Sequence, residues 1–131
     1  MTERRRTASA SPYEAEIGFS RAIRVGDRIL VSGTAPVEAD GSSTSGDAEA
    51  QADRCFAIIL QAVEALGGTL GDVVRTRIYL TDAGDAAAVA LAHGRWFERV
   101  RPAATMLVVA GLLRPEWRVE IEAEAVLGTG E

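Results

Sequence analysis

Trp117-Arg118-Val119-Glu120-Ile121-Glu122-Ala123-Glu124-Ala125-Val126 alternates residue by residue. Successive side chains of an extended strand point to opposite faces, so Val119, Ile121, Ala123 and Ala125 share one face and Arg118, Glu120, Glu122 and Glu124 the other. A strand with one apolar and one charged face needs a layer packed against the first. The rest of the chain supplies that layer and the neighbouring strands.

Val73 to Leu80 reads as a β-branched strand, with Val74, Thr76, Ile78 and Leu80 facing one way and Val73, Arg75, Arg77 and Tyr79 the other. Thr105 to Ala110 is almost wholly apolar, which predicts a strand covered on both faces. Phe19 to Val25 and Arg28 to Ser32 flank Gly26-Asp27 and read as a hairpin. Two segments have helical spacing. From the N-cap Asp47 to Leu66, the residues Cys55, Ile58, Ile59, Ala62, Val63 and Leu66 form one stripe, stopped by Gly67-Gly68. From Asp85 to Val100, the stripe is Val89, Trp96, Phe97 and Val100, ended by Arg101-Pro102. Residues 36–46 read as a long loop, and residues 1–12, small, polar and basic, as a disordered leader ahead of a single domain over 13–131.

The expected class is α+β, with the order β-β-α-β-α-β-β. It is a mixed five-stranded sheet with both helices on one face. Arg75 and Arg77 could then pair across strands with Glu120, Glu122 and Glu124. No helix remains for the second face, so another copy of the chain is expected to cover it.

The 131 residues are 47% hydrophobic and 25% charged, as a soluble globular domain requires. There is one cysteine (Cys55), one histidine (His93) and no lysine; all 14 basic residues are arginine. Such a chain forms no internal disulfide, offers no lysine for a Schiff base or a P-loop, and has too few soft ligands for a zinc site. A net charge of -5 gives no general attraction for a phosphate backbone, so no nucleic acid is expected. No stretch is long and apolar enough to span a membrane, and no signal-peptide pattern opens the chain, so a cytoplasmic setting is expected.

Several motifs carry an ordinary structural reading. Gly67-Gly68-Thr69-Leu70-Gly71 follows a helix, as a cap does, whereas a nucleotide loop follows a strand. His93 and Cys55 lie on helix stripes as core residues. Gly33 ends a strand where either a turn or the close approach of a ligand would require glycine. The carboxylates Glu120, Glu122 and Glu124 are the residues best placed for acid–base chemistry, because a partner that dried this face would raise a carboxyl pKa there.

Arg101-Pro102-Ala103-Ala104-Thr105, the apolar strand after it and Val119-Glu120-Ile121-Glu122-Ala123 together resemble the Rid (YjgF) family. Ile29-Leu30-Val31-Ser32-Gly33-Thr34-Ala35-Pro36, the helix from Gln51 to Gly68 and Gly71-Asp72-Val73-Val74-Arg75-Thr76 resemble it in the same order, over about residues 14–127. The resemblance implies a homotrimer with the sheets around a central barrel and small ligands in clefts between subunits. It implies no cofactor and no metal. The activity it implies is hydrolysis of enamines and imines, such as 2-iminobutanoate and 2-iminopropanoate, to 2-oxo acids and ammonia. In that reaction an arginine clamps the substrate carboxylate and a glutamate of the last strand positions water.

Residue by residue, Glu120 falls on that glutamate and Gly33 on the cleft glycine, while Thr105 follows the clamp position. Phe19 stands where a tyrosine is usual, Ala90 where an asparagine is often found, and Ala104 where the deaminases carry the arginine. Each hydrogen bond to a charged group contributes about 1.5–3 kcal/mol, so losing a bidentate clamp removes most of the carboxylate recognition. The expectation is therefore a trimer whose cleft takes a small molecule other than the usual imino acid, with Glu120 as catalytic residue and Phe19, Gly33, Ala104 and Thr105 as substrate-binding residues. Other expectations are a non-catalytic ligand-binding trimer, a deaminase in which Arg21, Arg101 or Arg114 replaces the clamp, and a ribonuclease.

Overall fold

The alternating strand at the end of the chain lies in the interior of the sheet. In the computed structural model, which describes residues 3–128, six strands are β1 (Arg4–Thr7), β2 (Ala22–Val25), β3 (Arg28–Thr34), β4 (Val73–Leu80), β5 (Ala103–Val108) and β6 (Val119–Val126). They lie in the spatial order β1-β2-β3-β6-β4-β5. The pairings are antiparallel except β4 with β5, which are parallel and joined through a helix. The helices are α1 (Tyr13–Ile17), α2 (Ala48–Ala65) and α3 (Ala86–Phe97).

The core forms between one sheet face and the helix pair α2–α3. Ile29 and Val31 from β3, Ile78 and Leu80 from β4, and Val119, Ile121, Ala123 and Ala125 from β6 meet Cys55, Phe56, Ile59 and Val63 of α2. Phe56 packs edge-on against Phe97 of α3, their rings 5.4 Å apart. The Asp47 side chain accepts from the Ala50 N–H at 2.9 Å and opens α2. Beyond its end, Gly67 adopts φ +95°, and Gly68 N–H donates to the Val63 carbonyl at 2.9 Å. The expected α+β class, helix pair and mixed sheet are present.

Five expectations need correction. Residues 4–7 are not a leader: Arg4–Thr7 pairs antiparallel with Val25–Ala22, and Ser9 is tied to Glu14 through its N–H and hydroxyl. The backbone groups of this polar segment find partners along the open edge of β2, which composition does not register. Met1 and Thr2 lie outside the described residues. The resulting sheet has six strands, and α1 is an additional helix.

On β4 the register against β6 shifts between Val73 and Arg75, so Val73 joins the core and Val74 is exposed, the reverse of strict alternation. Arg77, and not Arg75, meets the carboxylates, at 3.5 Å from Glu124 and 4.0 Å from Glu122. Finally, the apolar strand runs over 103–108 and forms the outer edge of the sheet, with Leu107 and Val108 more than half exposed in the single chain. Met106 packs against the core, but Leu107 and Val108 find no cover within one copy.

Candidate active site

The cavity begins at a fault in the sheet. Between Val31 and Thr34, β3 has one residue more than the facing stretch Ala123 to Ile121 of β6. This bulge takes in Ser32 and Gly33, and bulges of this kind bend a strand and re-aim its neighbours. Glu120 approaches the bulge so closely that a Cβ on Gly33 would lie 2.5 Å from its Oε2. Glycine is needed here for space, since Gly33 is absent from the positive-φ glycines.

A cavity of about 580 Å³ opens beside this pair. One wall is the N-terminal segment from Thr7 to Phe19, another the face of α2 with Ile58, Gln61 and Ala65, and a third Leu113 and Trp117. The charged residues in the lining are Glu120, Arg21 and Arg54. Arg54 Nε donates to the Val37 carbonyl at 2.9 Å. The aromatic groups are Tyr13, Phe19 and Trp117, with Tyr13 and Trp117 edge to face at 6.0 Å. Trp117 Nε1 donates to Ser43 Oγ at 2.9 Å, pinning the 36–46 loop beside the cavity.

Burial pushes the Glu120 carboxyl above its ordinary range, Glu122 adds to the rise and the Arg21 guanidinium opposes it. Glu120 is thus the lining carboxyl whose environment favours holding a proton. Tyr79, opposite Glu120 on β4, gives its hydroxyl hydrogen to Glu122. His93 lies at the other sheet face, its Nε2 2.9 Å from Thr76 Oγ1, and burial lowers its pKa. Cys55 is fully buried, and burial pushes its thiol pKa far up, as for an inert core cysteine.

Of the residues expected at the site, Phe19, Gly33 and Glu120 line one cavity. Ala104 and Thr105 do not join them: they are exposed on β5, two strands away across the sheet. The three arginines weighed as substitutes are in different states. Arg21 lines the cavity but donates to Glu14, Gly33 O and Thr34 Oγ1. Arg114 lies over the Tyr13 and Trp117 rings and donates to Gly41 O and Ser43 Oγ. Arg101, in a left-handed conformation at φ 56°, follows α3 and is exposed. Sequence reading passed over Arg54, Tyr13 and Trp117. The i, i+4, i+7 spacing of Arg54, Ile58 and Gln61 was a signal for a shared face; nothing local pointed to the other two.

Among the described residues no group of three or more His, Cys, Asp or Glu side chains is placed to hold a metal ion. Among them, too, no helix is long and apolar enough to cross a membrane.

A six-stranded mixed sheet backed by two long helices, with a glycine bulge facing a glutamate on the last strand, places the chain in the YjgF/Rid class. Residues 9–127 match the family described as Endoribonuclease L-PSP (Ribonuc_L-PSP), and the chain belongs to it. It is 38% identical over 124 residues to the uncharacterized protein SCO2049 of Streptomyces coelicolor, covering 95% of this chain and 92% of that one. It is 36% identical over 106 residues to the RutC family protein y4sK of Sinorhizobium fredii, covering 80% and 83%. Among solved structures, Rv2704 of Mycobacterium tuberculosis, a member of the YjgF/YER057c/UK114 family, superposes with a TM-score of 0.88 at 37% identity, covering 95% of this chain and all of that one.

Proposed function

We propose that this protein acts, without a cofactor, on a small molecule bound in a cleft between subunits of a homotrimer, with Glu120 as the acid–base group that positions water. The observation that carries the reading is the Glu120 carboxyl set against the Gly33 bulge in the wall of a mostly apolar cavity, its pKa raised by burial. The exposed edge strand β5 supports the trimer. A neighbouring copy laid along it would cover Leu107 and Val108 and carry its own Ala104 and Thr105 towards a cleft. With alanine at 104, that cleft lacks the clamp that the usual imino-acid reaction requires.

The test is a deaminase assay on enamines generated in situ, run on wild type and on Ala104→Arg. Activity in the variant alone is expected; activity already in wild type overturns the exclusion of that reaction. For a substrate found by screening, Glu120→Gln abolishes turnover and leaves the oligomer intact, and unchanged turnover would refute the role of Glu120.

A second reading is a non-catalytic binding trimer. It is favoured by the isolation of Glu120, which among the described residues is the one carboxylate lining the cavity, while His93 is engaged with Thr76 elsewhere. A metabolite thermal-shift screen that gives tight binding without turnover selects it. The ribonuclease named in the family's description ranks below both, since the net charge of -5 opposes a polyanion. RNA cleavage that is lost on Glu120→Gln would promote it.

A further inference from the structure

The cavity wall contains a buried ion pair that the acid–base reading does not use. Arg21 Nε lies 3.0 Å from Glu14 Oε2, with the two side chains 4% and 8% exposed. Arg21 Nη1 donates to the Gly33 carbonyl at 2.6 Å and to Thr34 Oγ1 at 2.9 Å, and its guanidinium carbon is 5.3 Å from the centre of the Phe19 ring. Glu14 accepts in turn from the Ser9 N–H at 3.0 Å and from the Ser9 hydroxyl. One guanidinium therefore touches the bulge that receives Glu120, and through Glu14 it also reaches the segment that walls the cavity. Drying such a pair costs most of what its attraction returns, so its presence calls for an explanation other than stability.

We infer that Arg21 is the positioning residue of the Glu120 site, and that its pair with Glu14 locks the N-terminal wall and the Gly33 bulge into one unit. The inference rests on Glu120 being the working acid. Arg21 acts in two ways. Its Nη1 fixes the carbonyl of Gly33, and so the backbone against which the carboxyl lies. Its charge, moderated by Glu14, also acts on that carboxyl.

The other groups around Glu120 leave this role to Arg21. Glu122 on β6 has the opposite sign, and Arg118 on β6 is bound to Asp85 through two hydrogen bonds of 2.9 Å. Tyr79 on β4 is held by Glu122, the Cys55 thiol of α2 stays protonated, and Arg54 of α2 turns its Nε to Val37.

The test is the carboxyl-carbon NMR titration of Glu120, assigned by its loss in Glu120→Gln, in wild type and three variants. Glu14→Gln keeps the shape and removes the counter-charge of Arg21, so the Glu120 midpoint falls. Glu14→Gln with Arg21→Met is a neutral, similarly sized pair that preserves folding, and the midpoint rises above wild type. Arg21→Lys keeps the charge and loses the fork: the midpoint stays below that of the double variant, while the Ser9 amide exchanges at least roughly tenfold faster.

A merely structural pair would leave the midpoint indifferent to the sign of the change. Equal midpoints in Glu14→Gln and the double variant, or shifts in the same direction, overturn the inference. Unchanged turnover in Glu120→Gln would instead remove the acid–base reading, so the two failures are distinguishable.

Discussion

Gly33→Ala tests whether the Glu120 carboxyl is held where the structure places it. The new methyl would lie 2.5 Å from Glu120 Oε2, and ordinary contact begins at 3.4 Å, so the carboxyl must retreat by about 0.9 Å. The backbone does not resist, because Gly33 is not in a left-handed conformation. Overpacking of this kind costs about 1–3 kcal/mol, and the lower end applies because the atom displaced is the tip of a side chain. The same substitution restricts the unfolded chain and returns about 0.4–1 kcal/mol.

The net effect in wild type is therefore a loss of about 0–2 kcal/mol. In a Glu120→Ala background the obstacle is gone and Gly33→Ala becomes stabilising by about 0.4–1 kcal/mol. The assay is a double-mutant cycle by urea unfolding at one fixed protomer concentration, since subunit association would otherwise enter the result. A coupling of about 1 kcal/mol or more is expected, with the effect of the alanine changing sign. A coupling below about 0.5 kcal/mol would show that the carboxyl does not rest against Gly33.

Glu120→Gln is more stable than wild type at pH 7. A carboxyl whose folded pKa is raised opposes folding once pH exceeds its unfolded value, so the gain grows from about pH 4.5 upward and disappears below it; a gain independent of pH would contradict the burial of Glu120. Phe56→Ala, at a side chain 1% exposed between α2 and α3, costs about 3–5 kcal/mol in chemical denaturation; less than about 1 kcal/mol would deny the aromatic packing its role. Trp117→Phe removes the hydrogen bond to Ser43, costs about 1 kcal/mol and speeds amide exchange across the 36–46 loop, whereas unchanged exchange would detach that loop from the cavity wall.

The strand 119–126, both long helices and the Asp47 cap of α2 were legible because alternation, helical spacing and a capping aspartate are local signals. Asp85 makes no such side-chain cap, and α3 ends at Phe97, short of the expected Val100. The bulges were not. Val73 and Val74 have similar chemistry, and only the partner strand decides which of them enters the core. Residues 4–7 are polar and basic, yet a free sheet edge orders them. At the site, Glu120 and Gly33 could be singled out from motif and resemblance. Their contact depends on one extra residue in β3, which composition does not reveal. Arg21 was visible as an arginine on the first strand; its engagement with Glu14 and the Gly33 carbonyl required knowing how the N-terminal segment folds back.

The position of β6 has a consequence for synthesis. The last of these six strands to leave the ribosome lies between β3 and β4, with three strands on one side and two on the other. Without it, the strands divide into two groups with no pairing between them, β1–β3 and the β4–α3–β5 unit. Each presents an unsatisfied edge along the line where β6 will lie. These edges invite mispairing between neighbouring nascent chains, and the pairings β6 makes with β3 span most of the chain, a long closure that slows folding. Because Glu120 lies on β6, completion of the core and arrival of the acid are the same event. A chain stopped short of Val119 would have neither.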